Sequence, residues 1–249
     1  RAFALRCYHP AMSDQSVSMR SLRDGYTAVV LGASGALGKA CLHHLQADPR
    51  CARAIGLSRG SDPALVLEDE SSLAHCAAHL REHAPLHLVL DATGALTIDG
   101  RGPEKRLEDL DADNLLRAMQ INALGPMLAM KHLLPLLAKN EHVIWAKMSA
   151  RVGSIEDNHK GGWYGYRASK AALNMLLQTA AVEIARRRPL AVIAALQPGT
   201  VRSRLSQPFV GDEGLAPEES ARRLLHVIDR LPPNGRAHFV DHLGNSIPW

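Results

Sequence analysis

Tyr166 and Lys170 stand four residues apart in the stretch Tyr166-Arg167-Ala168-Ser169-Lys170, and Ala171 to Leu177 continue it with helical character. Positions i and i+4 share one face of a helix, so a phenol and an ammonium are expected side by side. A free phenol titrates near ~10, too high for proton exchange at neutral pH; a neighbouring ammonium stabilises the phenolate and lowers that value. A phenol tuned in this way can act as a general acid or base. The pair alone proves little, since an aromatic and a surface lysine at this spacing are common on ordinary helices.

A second stretch carries a different chemistry. Thr27 to Leu31 (TAVVL) has the β-branched, apolar character of a buried strand. Gly32-Ala33-Ser34-Gly35-Ala36-Leu37-Gly38 follows, and Lys39 to Gln46 continues as helix. Strand, glycine loop and helix are the setting in which helix N-terminal amides hold a diphosphate, the glycines permitting a tight turn and close approach. A nucleoside-triphosphate loop is disfavoured: five residues separate Gly32 from Gly38, and Ala40 stands where a hydroxyl is required. The next strand, Ala52 to Leu57, ends in Ser58 and Arg59 rather than in a carboxylate. A carboxylate there would bind the ribose diol of NAD; an arginine suits the 2′-phosphate of NADP, which is the expected cofactor.

The elements that must position these groups alternate. Further strands are expected at Ala64–Leu67, Leu86–Leu90, His142–Met148, Leu190–Leu196 and Ala237–Asp241, with helices between them. This alternation implies an α/β fold, a single-domain, doubly wound parallel sheet of Rossmann type with helices on both faces. Asp91-Ala92-Thr93-Gly94 follows one strand, Ser149 ends the next, and Gln197-Pro198-Gly199-Thr200-Val201 ends the one after; such strand ends line the ligand crevice of an open α/β sheet. Leu107 to Leu137 reads as a long helical segment broken at Gly125-Pro126 and at Pro135, with Asn122 just before the first break. Val201 to Ala216 is a candidate lid. Tyr164, two residues before Tyr166, faces elsewhere and is read as packing.

Bulk properties narrow the function. Residues 25–249 are expected to form one domain, and residues 1–24 a disordered extension, with a transit peptide as the alternative. The net charge of +4 is scattered and aromatics are 4%, which disfavours nucleic-acid binding. The longest apolar stretch, Leu124 to Ala138, is too short and interrupted to span a membrane. Four cysteines without CxxC pairing suggest a reducing, cytoplasmic compartment, and no histidine spacing suggests a metal.

Taken together, these motifs resemble the short-chain dehydrogenase/reductase family over about residues 26 to 249: the glycine loop, Asp91 to Gly94, Asn122, Ser149, Tyr166 with Lys170, and Pro198-Gly199, in the family's order. The GASGALG loop, Ala150 to Ile155, Gly161-Gly162-Trp163-Tyr164, YRASKAALNM and the terminal Ile-Pro-Trp look like its C-factor subgroup. The resemblance implies an NADP-dependent oxidoreductase that interconverts a carbonyl and an alcohol. Tyr166 would exchange the proton, Lys170 would tune it and bind the nicotinamide ribose, Ser149 would bind the substrate oxygen, and Asn122 would hold a water that links Lys170 to solvent. Gly32, Ser34 and Leu37 would cradle the diphosphate with Gly35, Ala36 and Gly38. Ser58 and Arg59 would take the 2′-phosphate, Asp91, Ala92, Thr93 and Gly94 the adenosine side, and Pro198, Gly199, Thr200 and Val201 the nicotinamide ring. It also implies a small-molecule substrate and a homodimer or homotetramer. The chain departs from the family pattern in its glycine spacing, in Asp-Ala-Thr-Gly, in Val66 where many relatives carry an acid (Asp69 lies nearby), and in Ser149 lying 17 residues before Tyr166. Ser154, 12 before, competes with Ser149, which is preferred because it ends the strand. A cofactor-bound signalling protein with little turnover is the alternative reading, since C-factor relatives are associated with signalling.

Overall fold

The structure is a computed structural model and describes residues 16–203, 205–207, 211 and 213–249. Six parallel strands form one sheet in the order β2-β1-β3-β4-β5-β6. They are β1 (Tyr26–Leu31), β2 (Cys51–Leu57), β3 (Leu88–Asp91), β4 (Val143–Met148), β5 (Ala191–Gln197) and β6 (Ala237–Asp241). Between them run α1 (Ala36–Ala47), α2 (Glu70–Leu80), α3 (Ala112–Met119), α4 (Gly125–Leu133), α5 (Tyr164–Ala185) and α6 (Pro217–Ile228). The central strands are apolar on both faces because helices cover both: every residue of β3 and β4 is buried. One core joins Val29, Trp145 and Leu173 under α2, α4 and α5. The other joins Ala28, Ile144 and Leu224 under α1 and α6. The chain leaves β1 toward β2 and then returns to β3 on the other side. The sheet thus has its switch point between β1 and β3, and the ligand crevice opens at their C-terminal ends.

Three expectations are corrected. Ala64–Leu67 is not a strand, because its backbone is bonded elsewhere: Leu65 N donates to Ser58 O, and Ser72 Oγ accepts from Val66 N while donating to Ala64 O. Leu65 and Leu67 still enter the core, which is the apolar signal the sequence carried. The break in the 107–137 segment comes earlier than Gly125-Pro126. It is a π-helical turn at Gln120–Leu124 that contains Asn122, and Gly125-Pro126 opens α4. Gly125 is required there, since a Cβ would lie 2.8 Å from both Leu67 Cβ and Leu67 O.

Residues 16–24, expected to belong to a disordered extension, pack on the second core. Val17, Met19 and Leu22 are buried, Met19 N donates to Asp48 Oδ2, and Ser21 donates to Asp229. Residues 1–15 lie outside the described residues. Among the described residues no helix is long and apolar enough to cross a membrane. Met19→Ala is expected to destabilise the protein by about 2–5 kcal/mol, the range for emptying a buried methionine site. Urea unfolding reads this directly, and an unchanged midpoint would show that the segment is detachable.

Candidate active site

A cleft of ≈ 740 Å³ lies over the C-terminal ends of β1, β3, β4 and β5. Ser34, Gly35, Ala36, Leu37 and Gly38 form one wall. Gly32 turns the chain below it at φ +79°, and a Cβ on Gly38 would stand 2.2 Å from Gly32 O, so the loop folds only with glycine at Gly38. No side chain caps α1, which leaves its first N–H groups for an anion. This cradle fits a dinucleotide diphosphate. Ala92, Thr93 and Gly94 line the same cleft, as do Pro198, Gly199, Thr200 and Val201. The candidate lid is stapled at its base: Leu215 N donates to Thr200 O, and Arg202 N to Leu215 O. Residues 204, 208–210 and 212 of that segment lie outside the described residues.

Ser58 and Arg59 lie beyond this cleft, at the end of β2. Arg59 is 72% exposed and reaches Glu68 at 3.4 Å. Asp91 is not on the cleft wall, contrary to expectation. It is fully buried, and its carboxylate receives Lys147 Nζ at 3.0 Å, because side chains at register partners on adjacent strands face each other.

Tyr166, Lys170 and Ser149 meet at the cleft. Lys170 is buried, donates to Met148 O at 3.1 Å, and lies 5.6 Å from the centre of the Tyr166 ring. Tyr166 is half-buried. Part of its ring faces the cleft, and the protein around the rest pushes the phenol up to about 12. Burial first, and then the like charge of Lys147, holds Lys170 well below the usual ammonium range. The expected lowering of the phenol by Lys170 is therefore absent here, because drying the site opposes charge on either group.

Asn122 stands behind the cleft. Its Oδ1 accepts from Ala95 N at 2.8 Å, and its Nδ2 donates to Ala95 O at 2.9 Å. A Cβ on Gly94 would meet Asn122 Oδ1 at 3.2 Å and Lys170 Nζ at 3.3 Å, so both atoms face one small space that glycine leaves open. Ser149 Oγ donates to Asn174 Oδ1 at 2.6 Å. Ser154 does not line the cleft; its hydroxyl accepts from Asp157 N and donates to Trp249 O, holding the turn after β4.

The short chain dehydrogenase family model matches residues 17–214. The chain belongs to the short-chain dehydrogenase family. C-signal of Myxococcus xanthus is 36% identical over 57% of this chain and 83% of that protein. 1-Hydroxy-2-glutathionyl-2-methyl-3-butene dehydrogenase of Rhodococcus sp. (strain AD45) is 32% identical over 76% of this chain and 80% of its own. The NADPH-bound carbonyl reductase from chicken fatty liver shares the fold, with a TM-score of 0.79, 20% identity, and coverage of 92% of this chain and 95% of that one. The protein is an NAD(P)-dependent oxidoreductase of this family.

Two residues of this dehydrogenase site escaped the sequence reading. Asn174 lies at i+8 from Tyr166 and i+4 from Lys170 on the same face of α5, so the spacing that picked out the pair could have found it. Glu104 had no such signal. It is buried, accepts from Gly165 N at 3.0 Å and from Asn114 Nδ2 at 2.9 Å, and so caps the first turn of the helix that carries Tyr166. Gly38→Ala is expected to weaken dinucleotide binding at least about tenfold, since its methyl and the loop cannot both keep their places. Isothermal titration with NADPH measures this, and unchanged affinity would remove the loop from the site.

Proposed function

We propose that this oxidoreductase interconverts a carbonyl and an alcohol with NADP, and that Tyr166 exchanges the proton with the substrate oxygen. The observation that carries the reading is that Tyr166 and Lys170 open onto the same cleft as the glycine loop. When bound, the dinucleotide supplies or takes the hydride at the substrate carbon. A phenol held near about 12 stays protonated through the neutral range, which is the form that can donate to a developing alkoxide. Ser149, released from Asn174, would give that oxygen a second donor. Lys170 and Asn122 face the space beside Gly94, where a water would complete the path that restores the proton. Exposed Arg59 supports NADP over NAD, because a 2′-phosphate can replace Glu68 as its partner. The NADPH named for the chicken reductase agrees with this choice. The signalling alternative has the identity to C-signal in its favour. The complete set of Asn122, Ser149, Tyr166 and Lys170 favours turnover.

A panel of carbonyl compounds with NADPH, and with NADH alongside, tests the reading. NADPH oxidation is expected to be the faster. Tyr166→Phe is expected to lower kcat by about 10²–10⁴-fold and to leave cofactor affinity nearly unchanged; turnover at the original rate would refute the assignment. Arg59→Ala is expected to raise KM for NADPH about tenfold, as losing a charge-assisted contact does, and to spare NADH.

The pH dependence has a defined sign. The protonated phenol is the active form for reduction and its pKa is raised. The reductive rate is therefore expected to hold from roughly pH 6 to pH 9 and to fall only as alkali approaches the phenol's pKa. A fall centred near neutral pH in wild type would contradict the protonated-phenol role.

A further inference from the structure

Two buried lysines flank the Thr93-Gly94 turn, Lys170 at the cleft and Lys147 behind it. Lys147 is 0% and Lys170 2% exposed. Lys147 projects from β4 opposite Asp91 on β3. Its ammonium donates to Asp91 Oδ1 at 3.0 Å, Thr93 Oγ1 at 3.1 Å and Thr93 O at 2.6 Å, and Thr93 Oγ1 donates in turn to Asp91 Oδ1 at 2.5 Å. The turn thus held, Thr93-Gly94, lines the cleft and leaves the gap beside Lys170 Nζ. Lys147 opposes charge on Lys170, and Asp91 favours it.

The surroundings offer little other compensation. From α5 comes the phenol of Tyr166, and from the π-helical turn the neutral Asn122. Glu104, in the loop before α3, is committed to Gly165 N and Asn114. Asp91 Oδ1 takes the Lys147 ammonium together with Thr93 N and Thr93 Oγ1, and Oδ2 has no hydrogen-bond partner among the described residues. An ammonium buried without a counter-ion gives up its proton rather than stay charged.

We propose that Asp91 is a positioning residue for the reacting couple: it decides how much positive charge Lys147 and Lys170 hold together, and through Lys147 it pins the Thr93-Gly94 turn against Lys170. Lys147 does not line the cleft; it acts on Lys170 through its charge, which Asp91 balances. Removing the carboxylate leaves two ammoniums facing each other, and one of them deprotonates at lower pH. Removing Lys147 leaves the carboxylate to Lys170, which holds its proton to higher pH. The two substitutions therefore act in opposite directions, which loss of packing alone does not produce.

The chain has seven lysines, so ¹³Cε-lysine labelling resolves them by NMR, with Lys147→Met and Lys170→Met supplying the assignments. In Asp91→Asn the first of the two midpoints is expected to fall by about one pH unit or more, the usual effect of one nearby charge. In Lys147→Met the Lys170 midpoint is expected to rise by a similar amount. Unchanged midpoints in the folded variants, or shifts in the same direction, would overturn the proposal. If one variant does not fold, the other decides alone. A consequence for turnover rests on the reading of Tyr166 and Lys170 as the reacting couple: carbonyl reduction by Asp91→Asn is expected to begin its alkaline fall at lower pH than wild type, by about the shift of the midpoint, and to recover to the wild-type rate toward pH 6 as the lysine regains its proton. Shifted midpoints without that recovery would uphold the charge assignment and refute the role of the couple.

Discussion

Everything at the cleft depends on how α5 sits against the C-terminal end of β4. The turn after β4 rests directly on the helix at Gly153, where a Cβ would lie 2.8 Å from Lys170 Cβ and 2.9 Å from its carbonyl carbon. Lys170 reaches back to Met148 O, and Ser149 reaches forward to Asn174, so strand end and helix are tied by two side-chain bonds one turn apart. Glu104 fixes the start of the helix, and Asn122 fixes the Gly94-Ala95 backbone beside it. Tyr166 is set by ring contacts, edge-on to Trp163 at 6.2 Å between centres and beside Lys170 Nζ. Its place follows from those of its neighbours.

Water exclusion is the second constraint. The same burial that raises the phenol lowers both lysines, since a dry environment favours the neutral form of each. It also strengthens whatever charges remain. A carboxylate one strand behind the cleft can therefore matter to a helix it does not touch. This gives the Asp-Ala-Thr-Gly sequence a physical role: its aspartate belongs to the sheet interior, while its last three residues belong to the cleft.

The order of the motifs made much of this legible from the chain alone. A four-residue spacing placed Tyr166 and Lys170 together, and the glycine loop lay between a strand and a helix as its composition required. Patterns that depend on distant partners were not legible. Lys147 sat in an apolar run read only as strand, and its counter-ion is 56 residues away. Glu104 caps a helix that begins 60 residues later. Ala64–Leu67 had strand composition, but Ser58 and Ser72 took its backbone groups. Residues 16–24 looked polar and irregular, yet three buried side chains hold them to the core. The π-helical turn at Asn122 has no compositional mark beyond the glycine and proline that follow it.

The central claim is that this cleft moves hydride between NADP and a carbonyl carbon. It is tested most directly with NADPH carrying deuterium at the transferable position of its nicotinamide ring, offered with the carbonyl panel and followed by mass spectrometry of the products. Deuterium on the carbinol carbon of a new alcohol, absent with Tyr166→Phe, is the expected result. NADPH consumed without label in any alcohol, or no consumption across the panel by a protein that binds the cofactor, would contradict it.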